Sequence, residues 1–347
     1  MVKTMRDSER PTASGMFGAL YRSKFIIPTM LAGAFVACGF LWRFWSAPSD
    51  ANFVHKCLEQ DLGETGPHAD MVWVGDGTFE MGDSIYDEEG PVREVHVKGF
   101  WMDRHEVTNA EFQKFVEANN YVTVPERALD QATHPDLPAD MLVPGGVVFE
   151  APGRESMTRD PLDWWKFVPG ANWRHPGGPG TDLKGRDEYP VVLLTYQDVQ
   201  AYAKWKGRTL PTEAQWEWAA RAGQPASDNR EPPNNANTWQ GIFPIINDSL
   251  DGFIGLAPVG CFEPNSLGLY DMIGNVWEWT RDTYRPPSSA DSGVGLESSQ
   301  GNTPSQVIKG GSYLCSSDYC MRYRAGSRQP QEQDLAVSHL GFRTILE

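Results

Sequence analysis

The sequence lacks the short motifs that mark the common hydrolases and nucleotide-dependent enzymes. It contains no His-Glu-x-x-His zinc motif, no Gly-x-Ser-x-Gly nucleophile elbow, no P-loop and no Gly-x-Gly-x-x-Gly dinucleotide fingerprint. Its seven histidines show no tight ligand spacing, so a zinc hydrolase is not expected. Basic residues are also scarce, since 30 Lys and Arg stand against 46 Asp and Glu, for a net charge of −16. This balance argues against a nucleic-acid partner, because attraction to phosphate needs clustered Lys and Arg.

Long hydrophobic runs are equally scarce, and only one of them, Phe25 to Trp42, is long enough to cross a bilayer. Its uncharged residues follow several Lys and Arg, and about 18 apolar residues are the minimum for a hydrocarbon core of roughly 30 Å. The basic residues before the run predict a cytoplasmic N-terminus and an exported domain. We predict a cytoplasmic segment at 1–24, a transmembrane anchor at 25–44, a linker at 45–69 and a folded domain at 70–347. A cleaved signal peptide is the alternative interpretation of the run.

Regular secondary structure is expected to be limited, because glycine and proline are frequent, with 34 and 26 residues. Three helices are nevertheless predicted, starting at Thr108, Thr195 and Thr212. Each has an apolar stripe at helical spacing, which is typical of a core-facing helix. Two extended pieces within Met71 to Gly82 flank an Asp-Gly pair, which predicts a hairpin.

Five cysteines leave four candidates for pairing, because Cys38 lies within the apolar run. The other four are Cys57, Cys261, Cys315 and Cys320, and sequence alone does not choose among their three possible pairings. Cys315 and Cys320 lie five residues apart, after a Gly-Gly pair that allows a tight turn or close approach to a ligand. The pair can be a local disulfide, a soft-metal site or a redox-active dithiol.

Two segments rich in Asp and Asn, 234–251 and 271–278, carry oxygen donors separated by glycines. Such oxygens can converge on a hard cation such as calcium. The spacing is not that of an EF-hand, and turn formation explains these residue types equally well.

Several motifs together resemble the formylglycine-generating enzymes, also called sulfatase-modifying factors. The resemblance covers about Met71 to the C-terminus and is carried by Gly77 to Gly82, Asp103 to Thr108, Gly207 to Glu217, Gly268 to Trp279, Gly310 to Cys320, Arg322 to Arg324 and His339 to Arg343. It implies an α+β fold similar to C-type lectin domains, with little regular secondary structure. The segment 70–347 would then be the catalytic domain.

The resemblance implies a copper-dependent oxidase. Such an enzyme converts the cysteine of a Cys-x-Pro-x-Arg segment in a sulfatase to Cα-formylglycine with molecular oxygen. Cys315 and Cys320 would be the Cu(I) ligands, and the substrate cysteine would supply a third thiolate. Ser312 and Tyr319 would line the site by hydrogen bonding, and Trp277 would form its wall or belong to the core.

Two further residues, Arg328 and His339, are predicted to bind substrate. Arg328 could instead form a buried ion pair, which is the role expected for Arg343. The human-type enzymes have Asn at the position of His339, so a titratable group is added here. They also have disulfide cysteines where this chain has Ala325 and Thr344, so those disulfides are absent.

Two structural calcium sites are also implied by the resemblance. One set comprises Asn237, Asp251 and the carbonyls of Thr238 and Phe253. The second set consists of Asp271, Glu278 and the carbonyls of Gly274 and Val276. The expected partners are a sulfatase polypeptide and, through the N-terminal helix, a membrane, with a monomeric, exported catalytic domain. Two alternatives stay open, namely an oxidase of the siderophore-maturation type acting on another exported target and a non-catalytic lectin-like binding module.

Overall fold

Short strands and long loops dominate the part of the chain that the computed structural model describes. The described residues are 57, 68–132, 137–152, 163–222, 233–286 and 304–347. They belong to a unit that spans Asn52–Glu347. The strands are β1 (Met71–Val74), β2 (Gly77–Met81), β3 (Arg93–Val97), β4 (Phe100–Asp103), β5 (Gly145–Phe149), β6 (Trp165–Pro169), β7 (Trp277–Thr283), β8 (Ser305–Lys309), β9 (Arg328–Glu332), β10 (Leu340–Gly341) and β11 (Ile345–Leu346). The predicted fold, with few helices and mostly strands and loops, is confirmed.

All three predicted helices are present, namely α1 (Asn109–Asn119), α2 (Tyr196–Trp205) and α3 (Glu213–Arg221). A reciprocal capping box begins each one. At α1, the Thr108 hydroxyl accepts from the Glu111 amide at 3.2 Å, and the Glu111 carboxylate accepts from the Thr108 amide at 3.0 Å. Each exchange satisfies two amides that the first helical turn leaves without partners.

The strands form four small sheets. The largest has the order β10-β7-β8-β9, and β7 lies at its centre with a parallel partner in β10 and an antiparallel partner in β8. A second sheet has the order β1-β4-β11, and two-stranded pairs join β2 to β3 and β5 to β6. The segment from Gly310 to Cys320 leaves β8 directly, so the four-stranded sheet positions the two neighbouring cysteines.

The predicted hairpin between the strands on either side of the Asp-Gly pair is wrong. β1 pairs with β4 and β2 pairs with β3, so the two strands enter different sheets. The indole of Trp218 on α3 separates them. Its nitrogen donates to the Gly75 carbonyl at 2.9 Å, and its ring occupies the space that a Cβ on Gly77 would need, 2.4 Å away. A contact from a distant helix therefore overrides the local turn signal.

The main core cluster packs α1 and α2 against β7 and the segments that follow β8 and β9. It includes the buried rings of Trp277, Trp279 and Phe342, and also the side chains of Cys315 and Cys320. The two thiols therefore belong to the hydrophobic core of the domain and do not lie on a surface loop.

A disulfide joins Cys57 to Cys261 across 204 residues of sequence. This finding selects one of the pairings that the sequence left open. Cys261 lies in a small apolar cluster with Ala257 and Phe262, against which Phe253 packs. The bond thus attaches the N-terminal side of the described chain to a segment near the predicted calcium residues.

Among the described residues, no helix has the length and apolarity needed to cross a membrane. The predicted anchor at 25–44 and the cytoplasmic segment at 1–24 lie outside the described residues, as does most of the linker at 45–69. The proposed domain boundaries therefore stay predictions.

Candidate active site

Cys315 and Cys320 face each other as free thiols. Their Sγ atoms lie 3.2 Å apart, and both side chains are buried. Their loop is held by backbone hydrogen bonds from Cys315 N–H to the Ser312 carbonyl at 2.9 Å and from Cys320 N–H to the Ser316 carbonyl at 3.0 Å. The local disulfide that the sequence allowed is not formed here, and two soft sulfur donors converge on one point.

The two glycines before this loop are required by the backbone. Gly310 and Gly311 have φ values of +96° and +76°, which side-chain-bearing residues rarely adopt. A Cβ on Gly311 would also lie 2.6 Å from the Arg322 carbonyl oxygen. The Gly-Gly pair thus allows the strand that enters the site to lie against the segment that leaves it.

The two thiols have different electrostatic environments. A hydrogen bond from the Cys315 thiol, assisted by the nearby Arg322 guanidinium, lowers the pKa of Cys320 to about 7. Burial raises the pKa of Cys315. Arg322 Nη1 donates to Cys320 Sγ at 3.8 Å, which is within hydrogen-bonding range for sulfur. Cys320 is therefore the sulfur that more readily becomes a thiolate.

Ser312 is held beside this pair by His339. The Ser312 hydroxyl lies 3.3 Å from His339 Nδ1, and its oxygen accepts from the Leu314 amide at 3.3 Å. Burial lowers the pKa of His339 to about 3, so the imidazole is neutral at physiological pH. An unprotonated ring nitrogen can accept a hydrogen bond from the serine hydroxyl, which fixes the orientation of that hydroxyl. The edge of the imidazole also contacts Trp165, with ring centroids 4.7 Å apart.

Aromatic side chains form the surroundings of the dithiol. Tyr319 is 51% exposed and stacks on Phe243, with ring centroids 4.5 Å apart. Trp164 meets Tyr319 edge-on at 6.0 Å. Trp277 is fully buried in the same core cluster as both cysteines. The structure thus places Tyr319 at the surface and Trp277 in the core that also contains the two thiols.

Arg328 and Arg343 both form ion pairs within this chain. Arg328 Nε lies 2.7 Å from the Glu213 carboxylate, and its guanidinium carbon lies 4.9 Å from the Tyr284 ring centroid. Arg343 is fully buried against Glu278. The ion-pair role expected for Arg343 is what the structure shows, and substrate binding by Arg328 stays a prediction.

Two residues of the first predicted calcium set donate hydrogen bonds to the carboxylate of a third. Asp251 accepts hydrogen bonds from the amides of Thr238 at 3.2 Å and Phe253 at 3.0 Å. The Thr238 hydroxyl is buried and has no hydrogen-bond partner among the described residues. Asn237 is also buried, and its amide nitrogen donates to the Gly255 carbonyl at 2.9 Å.

The second predicted calcium set lies beside a buried group of like charges. Burial raises the pKa of Asp271 to about 6, and burial also raises the pKa of Glu106. Glu278 already pairs with Arg343, so three buried carboxylates share one guanidinium. Glu106 Oε2 has no hydrogen bond within the described chain. This excess of buried negative charge fits a divalent cation.

The two calcium sets are adjacent. Gly274 has a φ of +82°, and a Cβ there would lie 2.3 Å from the carbonyl oxygen of Asn237. No cluster of three or more His, Cys, Asp or Glu side chains arranged to hold a metal occurs in the described segments. That finding is compatible with the predicted sets, because each draws half of its ligands from backbone carbonyls. Carboxylate and carbonyl oxygens suit calcium, just as the thiol pair suits Cu(I).

Sequence reasoning missed several residues around the dithiol. Arg322 belongs to one of the family motifs and is not predicted as a site residue, yet it contacts Cys320. Phe243 was not singled out, and it comes from a loop 70 or more residues earlier in the chain to stack on Tyr319. Arg322 lies two residues after Cys320, but the direction of its guanidinium depends on tertiary packing, and the stacking of Phe243 joins segments distant in sequence.

Known proteins of one family are similar to this chain over most of its length. Residues 59–347 match the family model described as the sulfatase-modifying factor enzyme 1-like domain. The chain is 46% identical over 292 residues to a formylglycine-generating enzyme of Mycobacterium tuberculosis, covering 80% of this chain and 98% of that protein. It is 37% identical over 304 residues to an inactive C-alpha-formylglycine-generating enzyme 2 of Mus musculus, covering 83% and 90%.

A solved structure shares the fold. The structure of PvdO from Pseudomonas aeruginosa superposes with a TM-score of 0.53 at 24% identity, covering 80% of this chain and 94% of the other. At that identity the likeness concerns the fold alone.

Proposed function

Because this chain is an enzyme of the formylglycine-generating (sulfatase-modifying factor) family, we propose that it oxidises a cysteine in a Cys-x-Pro-x-Arg segment of a sulfatase to Cα-formylglycine. Molecular oxygen is the proposed oxidant and copper the proposed cofactor. Oxygen would be reduced to water with two electrons from the substrate cysteine and two from a thiol reductant in solution, and the substrate sulfur would leave as hydrogen sulfide when water replaces it. The single observation that best supports the proposal is the pair of buried free thiols, Cys315 and Cys320, 3.2 Å apart.

Cys315 and Cys320 would hold Cu(I) as thiolates, because a d¹⁰ ion of this kind favours soft sulfur ligands. Copper held by these two residues would supply the reactivity toward oxygen beside the substrate cysteine. Cys315 and Cys320 are buried in the same core cluster as Trp277, so water is largely excluded from their side chains. Exclusion of water strengthens the electrostatic interactions at the sulfur atoms.

Ser312 and Tyr319 would act on the substrate side. The hydroxyl of Ser312 is fixed by His339 and the Leu314 amide, so it presents a polar group of defined orientation beside the cysteine loop. The half-exposed ring of Tyr319, stacked on the buried ring of Phe243, provides an aromatic surface at the residue before Cys320. A polypeptide can pack on that surface, because aromatic faces bind apolar side chains with little loss of conformational freedom.

The proposed calcium ions have a structural role. Asn237, Asp251 and the carbonyls of Thr238 and Phe253 would hold one ion. Asp271, Glu278 and the carbonyls of Gly274 and Val276 would hold the other. The buried Thr238 hydroxyl, which has no hydrogen-bond partner among the described residues, supports the first site. The excess of buried negative charge around Asp271 supports the second.

The function is tested by anaerobic titration of the full-length protein with Cu(I), followed by addition of a Cys-x-Pro-x-Arg peptide and oxygen. We expect saturation at one copper per chain, and mass spectrometry should show that the peptide thiol is replaced by an aldehyde. Cys315→Ser and Cys320→Ser should each abolish turnover, and a peptide with serine in place of cysteine should remain unchanged.

Two outcomes would contradict the proposal. Stoichiometric copper binding without any change in the peptide would favour an oxidase with another exported target. Failure to bind copper, with a Cys315–Cys320 disulfide that persists in reductant, would favour a non-catalytic binding module.

We also propose that the catalytic domain is exported and tethered by the N-terminal apolar run. The Cys57–Cys261 disulfide supports this location, since such bonds persist in oxidising compartments. The test is protease digestion of the full-length protein in intact cells and in cells whose outermost membrane has been permeabilised. Digestion of the domain only after lysis of the cytoplasm would contradict the proposal.

A further inference from the structure

The segment after Cys320 is bound to an acidic loop that lies more than 230 residues earlier in the sequence. This acidic loop, residues 83–90, contains a short 3-10 turn at Asp87–Glu89. Arg322 forms an ion pair with Glu88, and the two residues are 234 positions apart in sequence. Arg324 binds the same loop through Glu89, at 2.6 and 2.8 Å. The chain that leaves the dithiol is thus held by two arginines in succession.

Tyr86 of the acidic loop adds two contacts at the same point. Its ring centroid lies 4.1 Å from the guanidinium carbon of Arg322, in cation–π geometry. Its hydroxyl accepts the backbone N–H of Met321 at 3.2 Å. An ion pair and a ring contact therefore fix the Arg322 side chain, and a hydrogen bond fixes the main chain at the residue before it. The Arg322 side chain is only 18% exposed, so solvent screens its charge weakly.

The guanidinium that these contacts hold is directed at the sulfur of Cys320, a proposed copper ligand. Arg322 Nη1 donates to Cys320 Sγ at 3.8 Å. Two thiolates around one Cu(I) carry net negative charge, and a third thiolate from the substrate increases it. A fixed positive charge beside one sulfur lowers the cost of gathering that charge in a buried place.

We propose that Arg322 is a positioning residue of the dithiol. Its guanidinium orients the Cys320 sulfur and offsets the negative charge that develops when the pair binds Cu(I). Glu88 and Tyr86 act one step further away, because they hold the guanidinium in place. The inference rests on the proposed copper site and extends it to a cation and an acidic loop that are not metal ligands.

The test is the affinity of the full-length protein for Cu(I), measured anaerobically at fixed pH by competition with a coloured Cu(I) chelator. Arg322→Met should weaken binding by about tenfold or more, because a unit charge acts strongly at this spacing in a partly buried site. Arg322→Lys keeps the charge and should recover most of the affinity. Glu88→Gln frees the guanidinium without removing it, so its loss should be smaller than that of Arg322→Met.

A matched control separates this role from general destabilisation. Arg281→Met removes another arginine–glutamate ion pair, 2.6 Å long, with Glu347 at the C-terminus. It should leave the Cu(I) affinity unchanged. Thermal unfolding of every variant shows whether an affinity loss merely follows a loss of fold.

Each result supports or overturns the inference. Unchanged affinity in Arg322→Met, equal losses in Arg322→Met and Arg322→Lys, or a loss shared by Arg281→Met would overturn it. If Arg322→Met does not fold, wild-type affinity in Glu88→Gln would also overturn it, because that variant removes the carboxylate that holds the guanidinium in place. A wild-type protein that binds no Cu(I) overturns the proposed function and this inference together, whereas binding that ignores Arg322 overturns the inference alone.

Discussion

The carboxylate of Glu278 accepts two hydrogen bonds from the guanidinium of Arg343, from Nε and Nη2, each at 2.8 Å. Both side chains are fully buried, and the indole of Trp216 donates to the same carboxylate at 2.9 Å. This ion pair fixes the start of β7 to the C-terminal segment. Glu278 directly follows Trp277 and also belongs to the second predicted calcium set.

Removal of Arg343 should destabilise the protein strongly. Arg343→Met leaves Glu278 with its charge buried and unpaired, and such breakage of a buried pair costs about 3–5 kcal/mol. Urea unfolding at neutral pH measures the change in the free energy of unfolding. Arg281→Met is the control, because loss of its more exposed pair should cost only about 0–1 kcal/mol. Equal effects of the two variants would contradict the structural role given to Arg343.

Calcium should stabilise the fold without entering the chemistry. Chelation should lower the unfolding temperature, since an ion that binds only the folded state adds about 2.7 kcal/mol at a concentration a hundred times its Kd. Asp251→Asn and Asp271→Asn should reduce this calcium-dependent gain. Scanning calorimetry with and without chelator tests the prediction. A calcium effect of wild-type size in both variants would show that the ion binds elsewhere.

His339 should make stability depend on pH in a defined direction. Its folded-state pKa is about 3, below the ordinary value, so between pH 6.5 and 3 the unfolded chain takes up a proton that the folded protein excludes. Stability is therefore lost as pH falls below 6.5, at most by about 1.4 kcal/mol per pH unit from this residue. His339→Asn keeps an acceptor for Ser312 but removes the titration. The wild type should lose more stability than the variant between pH 7 and pH 5 in urea unfolding, and parallel losses would contradict the assignment.

The Cys57–Cys261 disulfide should stabilise the domain independently of the dithiol. Closing a loop of 204 residues restricts the unfolded chain, and a long loop of this kind contributes about 2–4 kcal/mol. The double variant Cys57→Ser/Cys261→Ser should lower the unfolding temperature while leaving Cu(I) stoichiometry intact. Loss of copper binding in this variant would show that the two cysteine pairs depend on each other.

The sequence predicted those parts of the structure that depend on local chemistry. Thr108 and Glu111 form a capping box in any context that allows a helix, so the start of α1 could be placed from the sequence. The Gly310–Gly311 pair likewise indicated a turn beside Cys315, because only glycine adopts those dihedral angles freely.

The remainder depended on contacts between distant segments. The Asp76–Gly77 turn signal failed because the ring of Trp218, from α3, fills the space beside Gly77 and sends the two strands to different sheets. Arg322 follows Cys320 by two residues, but the ion pair that holds its guanidinium is made with Glu88, 234 residues earlier, so no local pattern predicts that ion pair. Motif resemblance supplied the site residues, and the packing of loops supplied their surroundings.

The most direct test of the central claim is mass spectrometry of a Cys-x-Pro-x-Arg peptide incubated with the copper-loaded full-length protein, in oxygen and under argon. The account predicts an aldehyde in place of the thiol in oxygen, no conversion under argon, and no conversion by Cys315→Ser or Cys320→Ser in either atmosphere. An unchanged peptide in oxygen with fully loaded protein, or equal conversion by the serine variants, would contradict the assignment of the dithiol as the oxidising centre.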